Sequence, residues 1–177
     1  RVAMTFDDGP HPEDTPAILE ILERSRVRAT FFMVGERARA HPDLARRVAA
    51  AGHEIAVHSD THPWWFSLAG PRRLRREVRG AARTLEDLTR RPPRFFRPPM
   101  GHKNLFLREE LAAAGLRMAT WTARSYDTLA PPSDRIRDKL LARATPGGIL
   151  LLHEGVRHGP AEASPTVAAL AAIIEGL

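Results

Sequence analysis

Two histidines four positions apart, in His58-Ser59-Asp60-Thr61-His62, and two adjacent carboxylates, Asp7-Asp8, are the residues of this chain best suited to chemistry. If the backbone makes one helical turn at the histidines, both imidazoles point the same way, as two ligands of one metal must. Histidine pairs at this spacing also arise by chance. A carboxylate from Asp7-Asp8 would complete a two-histidine, one-carboxylate site with open positions for water and substrate. Adjacent residues at a strand end point in different directions, so one carboxylate could bind a metal while its neighbour reaches the water held there. Taken alone, Asp7-Asp8-Gly9-Pro10 reads better as a plain turn. That reading weakens beside the histidine pair and beside His153, which ends the apolar run Ile149-Leu150-Leu151-Leu152.

Such a set points to acyl or amide hydrolysis. A metal lowers the pKa of its water to roughly 7 and polarises a carbonyl. A carboxylate base then takes the water proton, and a histidine acid protonates the departing amine. Two histidines and a carboxylate suit zinc, and would also accept cobalt or nickel. The chain has no cysteine, which excludes thiolate metal sites, a cysteine nucleophile and disulfides. It also lacks a Gly-x-Ser-x-Gly elbow and a Gly-rich phosphate loop.

The elements that must position these residues alternate between strand-like and helix-like patterns. Val2–Phe6 reads as a first strand, ended by the turn signal Asp8-Gly9-Pro10, with a helix from Pro16. Val27–Val34 and Glu54–Val57 read as the next strands, separated by a helix over Pro42–Ala51, and the latter strand runs directly into His58. A longer helix starts at Pro71 with Leu74, Val78, Ala81, Leu85 and Leu88 at helical spacing. Then follow a brief strand Arg94–Phe96, a helix from Leu107 to Ala114, a strand Leu116–Thr122, a helix Ser133–Ala144, a strand Gly148–Leu152 and a last helix from Ser164. Six β-α alternations predict an α/β fold with a mostly parallel sheet. Asp7, Asp8, His58, Arg97, Trp121 and His153 all fall at or just past the C-terminal end of a predicted strand, where parallel α/β proteins carry their active sites.

At 177 residues the chain suits a single domain spanning 1–177, with a core of useful size. No apolar run approaches the length that crosses a bilayer, so no transmembrane segment is expected. The chain starts at Arg1 rather than Met, as a processed or trimmed product would, and carries no targeting signal of its own. A formal charge of +6 favours anionic surroundings. The densest basic run, Arg72–Arg79, reads better as the solvated side of an amphipathic helix than as an anion-binding face, and no nucleic-acid-binding motif accompanies it.

Four segments in order carry a family resemblance: Thr5-Phe6-Asp7-Asp8-Gly9-Pro10, His58-Ser59-x-x-His62, Arg97-Pro98-Pro99-x-Gly101 and Leu151-Leu152-His153. With Thr15-Pro16-x-Ile18-Leu19 and Ala29-Thr30-Phe31-Phe32, they make the chain resemble the NodB-type polysaccharide deacetylases, carbohydrate esterase family 4, over nearly its whole length. The resemblance implies a distorted (β/α) barrel with about 6–7 parallel strands, and removal of acetyl groups from an N-acetylated polysaccharide such as peptidoglycan, chitin-like oligomers or poly-N-acetylglucosamine. It implies Asp7 as general base, Asp8 with His58 and His62 as metal ligands, and Arg97 holding the base. His153 would be the general acid, oriented by Asp127. Pro99, Met100, Gly101, Leu151 and Trp121 would serve the substrate, Met100 through a backbone N–H to the oxyanion and Leu151 against the acetyl methyl. A cell-envelope, periplasmic or secreted location goes with that family.

Three departures bear on specificity. Where the family's fourth motif reads Asp-x-x-Asp-Trp, this chain has Arg124-Ser125-Tyr126-Asp127-Thr128, which keeps the second aspartate and loses the first and the tryptophan. Met100 stands where an aromatic is common, and Trp64-Trp65-Phe66 offers a replacement stacking surface. Related domains also continue into a final strand beyond the equivalent of Leu177, which implies an open barrel or a missing strand. The altered groove keeps two alternatives in view: an O-acetyl-xylan esterase or small-amide hydrolase using the same site, and a carbohydrate-binding remnant without catalysis.

Overall fold

A computed structural model describes residues 1–156 and 164–177. Among them, β1 (Ala3–Gly9), β2 (Thr30–Met33), β3 (Glu54–Val57), β4 (Phe95–Phe96), β5 (Arg117–Met118), β6 (Ala123–Arg124) and β7 (Ile149–His153) form one sheet in the order β5-β4-β3-β2-β1-β7-β6. Every pairing is parallel. The helices α1 (Asp14–Arg24), α2 (Gly35–Ala40), α3 (Pro42–Ala50), α4 (Pro71–Arg75), α5 (Ala81–Thr89), α6 (Leu107–Ala113), α7 (Ser133–Leu141) and α8 (Pro165–Glu175) connect and flank the strands. Among the described residues no helix is long and apolar enough to cross a membrane.

Alternation along the strands separates two interiors. Met4 and Phe6 of β1, Phe31 and Met33 of β2, Val57 of β3 and Leu150 and Leu152 of β7 pack into the core under the helices. Ile18 and Leu22 of α1, Val48 of α3, Leu85 of α5 and Leu170 and Ile173 of α8 meet them there. The alternate positions turn inward: the Thr5 hydroxyl and Asp7 carboxylate reach Arg97, whose guanidinium also lies 3.9 Å from the Phe32 ring. Among the described residues, Arg97 is the largest fully buried side chain. A polar barrel interior and an apolar shell around it thus come from one two-residue period.

The sequence predicts one strand over Leu116–Thr122, and the structure divides it. Arg117–Met118 pairs with β4 at one edge of the sheet, whereas Ala123–Arg124 pairs with β7 at the other. Six strand spacings would set the edges of a flat sheet about 29 Å apart, yet Ala119–Thr122 must span them, a reach of at most about 18 Å. The sheet therefore curls until its edges nearly meet, giving the distorted (β/α) barrel. The Ala119 N–H still donates to Phe96 O and the Thr122 N–H to Ile149 O, both at 2.9 Å, so Thr120 and Trp121 occupy the seam.

Three helical segments also depart from expectation. α1 begins at Asp14 and not at Pro16, because the His11 imidazole accepts from the N–H groups of Glu13 and Asp14 and the Thr15 hydroxyl accepts from His11 N. Pro16 then lies within the first turn, where its missing N–H costs nothing. α2 carries no sequence signal. Its first N–H groups, of Gly35 and Glu36, donate to the carbonyls of Ser59 and Asp60, so a distant loop caps it. The helix from Pro71 is interrupted at Arg76–Gly80 by a π-helical turn. Of its arginines, Arg75 and Arg79 pair with the buried Glu110.

Candidate active site

In a regular strand, Asp7 and Asp8 would face opposite sides of the sheet. A bulge prevents this: the ladder from β1 to β2 jumps from Asp7↔Phe32 to Gly9↔Met33, and Asp8 takes a left-handed φ of 72°. Both carboxylates consequently reach one cavity. Gly9 closes the bulge, and a Cβ there would lie 2.0 Å from Glu154 Oε1, so no other residue fits without displacing that buried side chain.

The loop after β3 is not the helical turn expected from the histidine spacing. Ser59 (φ 67°) and His62 (φ 50°) are both left-handed, and these reversals bring the imidazoles to a centroid distance of 5.0 Å. The loop is held from three sides. The Ser59 hydroxyl accepts from His62 N at 3.0 Å, Arg39 pairs with Asp60 at 2.7 Å, and Glu77 in the π-helical turn accepts from the N–H groups of Asp60 and Thr61, both at 2.9 Å. Nothing in the sequence marks Glu77, one acid within a basic helical run.

His58 Nδ1 lies 2.8 Å from the carbonyl oxygen of Arg97, which can only accept, so Nδ1 carries a proton and Nε2 is the ring nitrogen placed to bind a metal. That Nε2 is 3.5 Å from Asp8 Oδ1, and His62 Nε2 is 3.3 Å from the same oxygen. Burial, partly opposed by the Asp8 charge, holds the His62 pKa below its ordinary value and favours the neutral, ligating form. Burial raises the pKa of Asp8, but His58, His62, His153 and Arg37 outweigh it and keep the carboxyl below its usual value. Asp8 Oδ1 is nevertheless buried without a hydrogen-bond partner. One ligand atom from each of Asp8, His58 and His62 lies within 4.8 Å of the others. An orphaned carboxylate oxygen facing two imidazole lone pairs is what a divalent cation would satisfy, so the residues fit a metal.

Behind this trio, Arg97 Nη1 donates to Asp7 Oδ1 at 2.5 Å and to the Thr5 hydroxyl at 2.9 Å, while Nη2 donates to Thr120 O at 3.0 Å. Asp7 Oδ2 is 3.8 Å from His58 Nε2. Across the β1–β7 ladder, Asp7 is paired in register with His153. The His153 Nδ1 is 2.8 Å from Asp127 Oδ1, and Asp127 Oδ2 accepts from the His153 N–H and the Thr166 hydroxyl. Burial alone would lower the His153 pKa. The hydrogen bond to Asp127 and the charges of Asp127, Asp7 and Asp8 override it and raise the value to about 9.

A cavity of about 320 Å³ joins these groups, lined by Asp7, Asp8, His58, His62 and His153 together with Met100, Gly101, Trp121 and Leu151. Arg97, Asp127 and Pro99 are buried outside its lining. Gly101 is held at φ +71°, and a Cβ on it would lie 2.4 Å from the Trp121 ring. Arg124, Tyr126 and Thr128 complete the wall. None of Trp64, Trp65 and Phe66 lines the cavity: Phe66 is buried against Phe96 at 5.9 Å, Arg73 lies over Trp65 at 5.5 Å, and Trp64 is 78% exposed.

Fold and site together define a parallel (β/α) barrel with a candidate metal centre and a facing carboxylate and imidazole, Asp7 and His153, at the C-terminal ends of its strands. A family model described as polysaccharide deacetylase matches residues 1–119, and the chain belongs to that family. It is 40% identical over 159 residues to a chitooligosaccharide deacetylase of Bradyrhizobium sp. (strain ANU 289), covering 89% of this chain and 72% of that one. It is 34% identical over 178 residues to a peptidoglycan-N-acetylglucosamine deacetylase of Bacillus cereus, covering 99% and 81%. Among solved structures, a carbohydrate esterase family 4 pseudoenzyme from Bacillus anthracis superposes with a TM-score of 0.89 at 27% identity, over 98% of this chain and 59% of that one.

Proposed function

We propose that this chain is a metal-dependent deacetylase of N-acetylated glycans, acting in the cell envelope or outside the cell. The observation that carries the reading is the Asp7↔His153 register: an arginine-held carboxylate and an aspartate-held imidazole stand on neighbouring strands, opening onto the cavity that contains Asp8, His58 and His62.

Asp8, His58 and His62 would hold the metal, for which zinc is the best match and cobalt or nickel are acceptable. Bound there, it would acidify water and polarise the acetyl carbonyl. Asp7, fixed through Oδ1 by Arg97, keeps Oδ2 to accept a proton as water adds to that carbonyl. His153 is protonated near neutral pH, with Nδ1–H committed to Asp127, so Nε2–H donates to the leaving nitrogen. The C–N bond breaks, giving acetate and a free amine on the sugar. Leu151 packs where the acetyl methyl would sit, the Met100 backbone N–H serves the oxyanion, and Trp121, set by Gly101, walls the cavity.

The similar pseudoenzyme shows that this fold also exists without activity, and a variant of it with restored activity superposes equally well, so the residues must decide. Here both the trio and the acid–base pair are present. Acetate release should be measured on chitooligosaccharides, peptidoglycan fragments, acetylated xylan and small amides, with metals removed and added back. Release from an N-acetylated glycan that stops with chelator is expected. Unchanged release from the metal-free protein would sink the mechanism, and release from xylan alone would move the activity to esters.

A further inference from the structure

Resting on the deacetylase reading, we propose that Arg124 makes the active-site cavity selective for a glycan bearing a carboxylate close to the acetamido group. Arg124 occupies β6, in register with Leu151 of β7, and its side chain lines the same cavity as the metal-ligand trio and His153. It has no carboxylate partner among the described residues, whereas the cavity's own carboxylates face other groups: Asp7 pairs with Arg97, and Asp8 faces the His58 and His62 imidazoles. The guanidinium is not loose. It lies 4.0 Å from the centre of the Tyr126 ring, over which Lys139 Nζ also sits at 4.2 Å.

Tyr126 is held for this task in an unusual backbone conformation. Its φ of 62° is left-handed, a costly state for a bulky side chain, and such strain concentrates at ligand sites. A hydrogen bond from Arg124, with the charges of Arg124 and Arg143, keeps the half-buried Tyr126 phenol below its ordinary pKa, marking a local excess of positive charge. The contact with the Tyr126 ring and the hydrogen bond to the phenol restrict the Arg124 guanidinium, and a guanidinium's five N–H donors leave others for a carboxylate. A neutral chitin-like chain offers only uncharged hydroxyl, ether and amide groups there. A lactyl ether or a uronic acid offers a carboxylate.

The test is calorimetric binding to zinc-loaded Asp7→Asn protein, which does not consume substrate. The probes are a tetrasaccharide of alternating N-acetylglucosamine and N-acetylmuramic acid and its carboxyl-reduced counterpart. The acidic form is expected to bind about fivefold to tenfold more tightly, the lower range for a charged hydrogen bond open to solvent. That preference should disappear in Arg124→Met, persist in part in Arg124→Lys, and shrink as salt is raised. Equal affinity for the two tetrasaccharides, or binding of neither, overturns the proposal. Acetate release by the wild-type protein is scored separately. Release without a carboxylate preference refutes the role of Arg124 alone, and a preference without release refutes the deacetylase reading alone.

Discussion

Glu77 grips Thr61 with both carboxylate oxygens, Oε2 accepting the backbone N–H at 2.9 Å and Oε1 the hydroxyl at 2.8 Å. The same Oε2 takes the Asp60 N–H, so one buried side chain sets the path of the loop that carries His58 and His62. A glutamine has one acceptor oxygen where glutamate has two. Glu77→Gln should therefore weaken zinc binding by roughly 10–100-fold, the usual loss when support for metal ligands is removed. Competitive zinc titration measures this, and an unchanged affinity would mean that Arg39 and Ser59 hold the loop unaided.

Arg97 and Asp7 are both almost fully buried, so neither can lose its partner cheaply. Arg97→Met should cost about 3–5 kcal/mol by stranding the Asp7 carboxylate, which lowers the melting temperature by roughly 10 °C in a chain of this size. Asp7→Asn keeps the shape and removes the proton acceptor, and should lower kcat by about 100-fold or more while leaving zinc affinity intact. A large loss of zinc binding in Asp7→Asn would instead make Asp7 a ligand.

His153 is raised to about 9 from an ordinary 6.5. A raised histidine stabilises the fold fully below 6.5, and the contribution is lost as pH rises towards 9. Activity should follow the same group, with kcat falling on the alkaline side as the acid loses its proton. A bound cation offsets the Asp8 charge, so in the loaded protein that limb should lie somewhat below 9. Asp127→Asn should carry it further down, towards 6.5. A pH–rate profile whose alkaline limb is identical in Asp127→Asn would remove Asp127 from the role of orienting the acid.

Glu154 lies beneath Gly9 with Oε1 unpartnered and Oε2 accepting from the Thr15 hydroxyl. Burial pushes its pKa up to about 8, against the hydrogen bonds from Thr15 and His11 and with help from Asp14 and Asp8. The carboxyl is thus neutral in the fold and ionised in the unfolded chain between 4.5 and 8, a cost that grows with pH across that window. Glu154→Gln should raise the melting temperature near pH 8 and have little effect near pH 4.5. Destabilisation at both pH values would mean that the carboxyl O–H, and not its charge state, is what the site requires.

Much of this was legible where side-chain type or period speaks directly. The alternation in β1 and β7, and the carboxylate and imidazole types at their ends, marked Asp7, Asp8 and His153 without reference to distance. The split of Leu116–Thr122 was not legible, because two-residue strands have no period and their placement at opposite edges depends on how far the whole sheet curls. α2 was hidden because its cap is the backbone of Ser59 and Asp60. Glu77 and Tyr126 were hidden for a related reason: each acts through a neighbour, Glu77 through a loop and Tyr126 through the cations around it. Asp127 was found only through the family's motif, since no spacing connects it to His153, 26 residues further on.

The pairing of β1 with β7 has a consequence for the order of events during synthesis. Thr5 donates its hydroxyl proton to Leu150 O across a sequence separation of 145, and every rung from Ala3 to Asp7 has its partner between Ile149 and His153. On the ribosome, the first strand must wait with one edge unpaired while most of the chain emerges. Closure of such a distant contact is slow. Asp7 and His153 therefore come together in the same late step, so a chain stalled before β7 would lack both a finished barrel and the imidazole that faces Asp7.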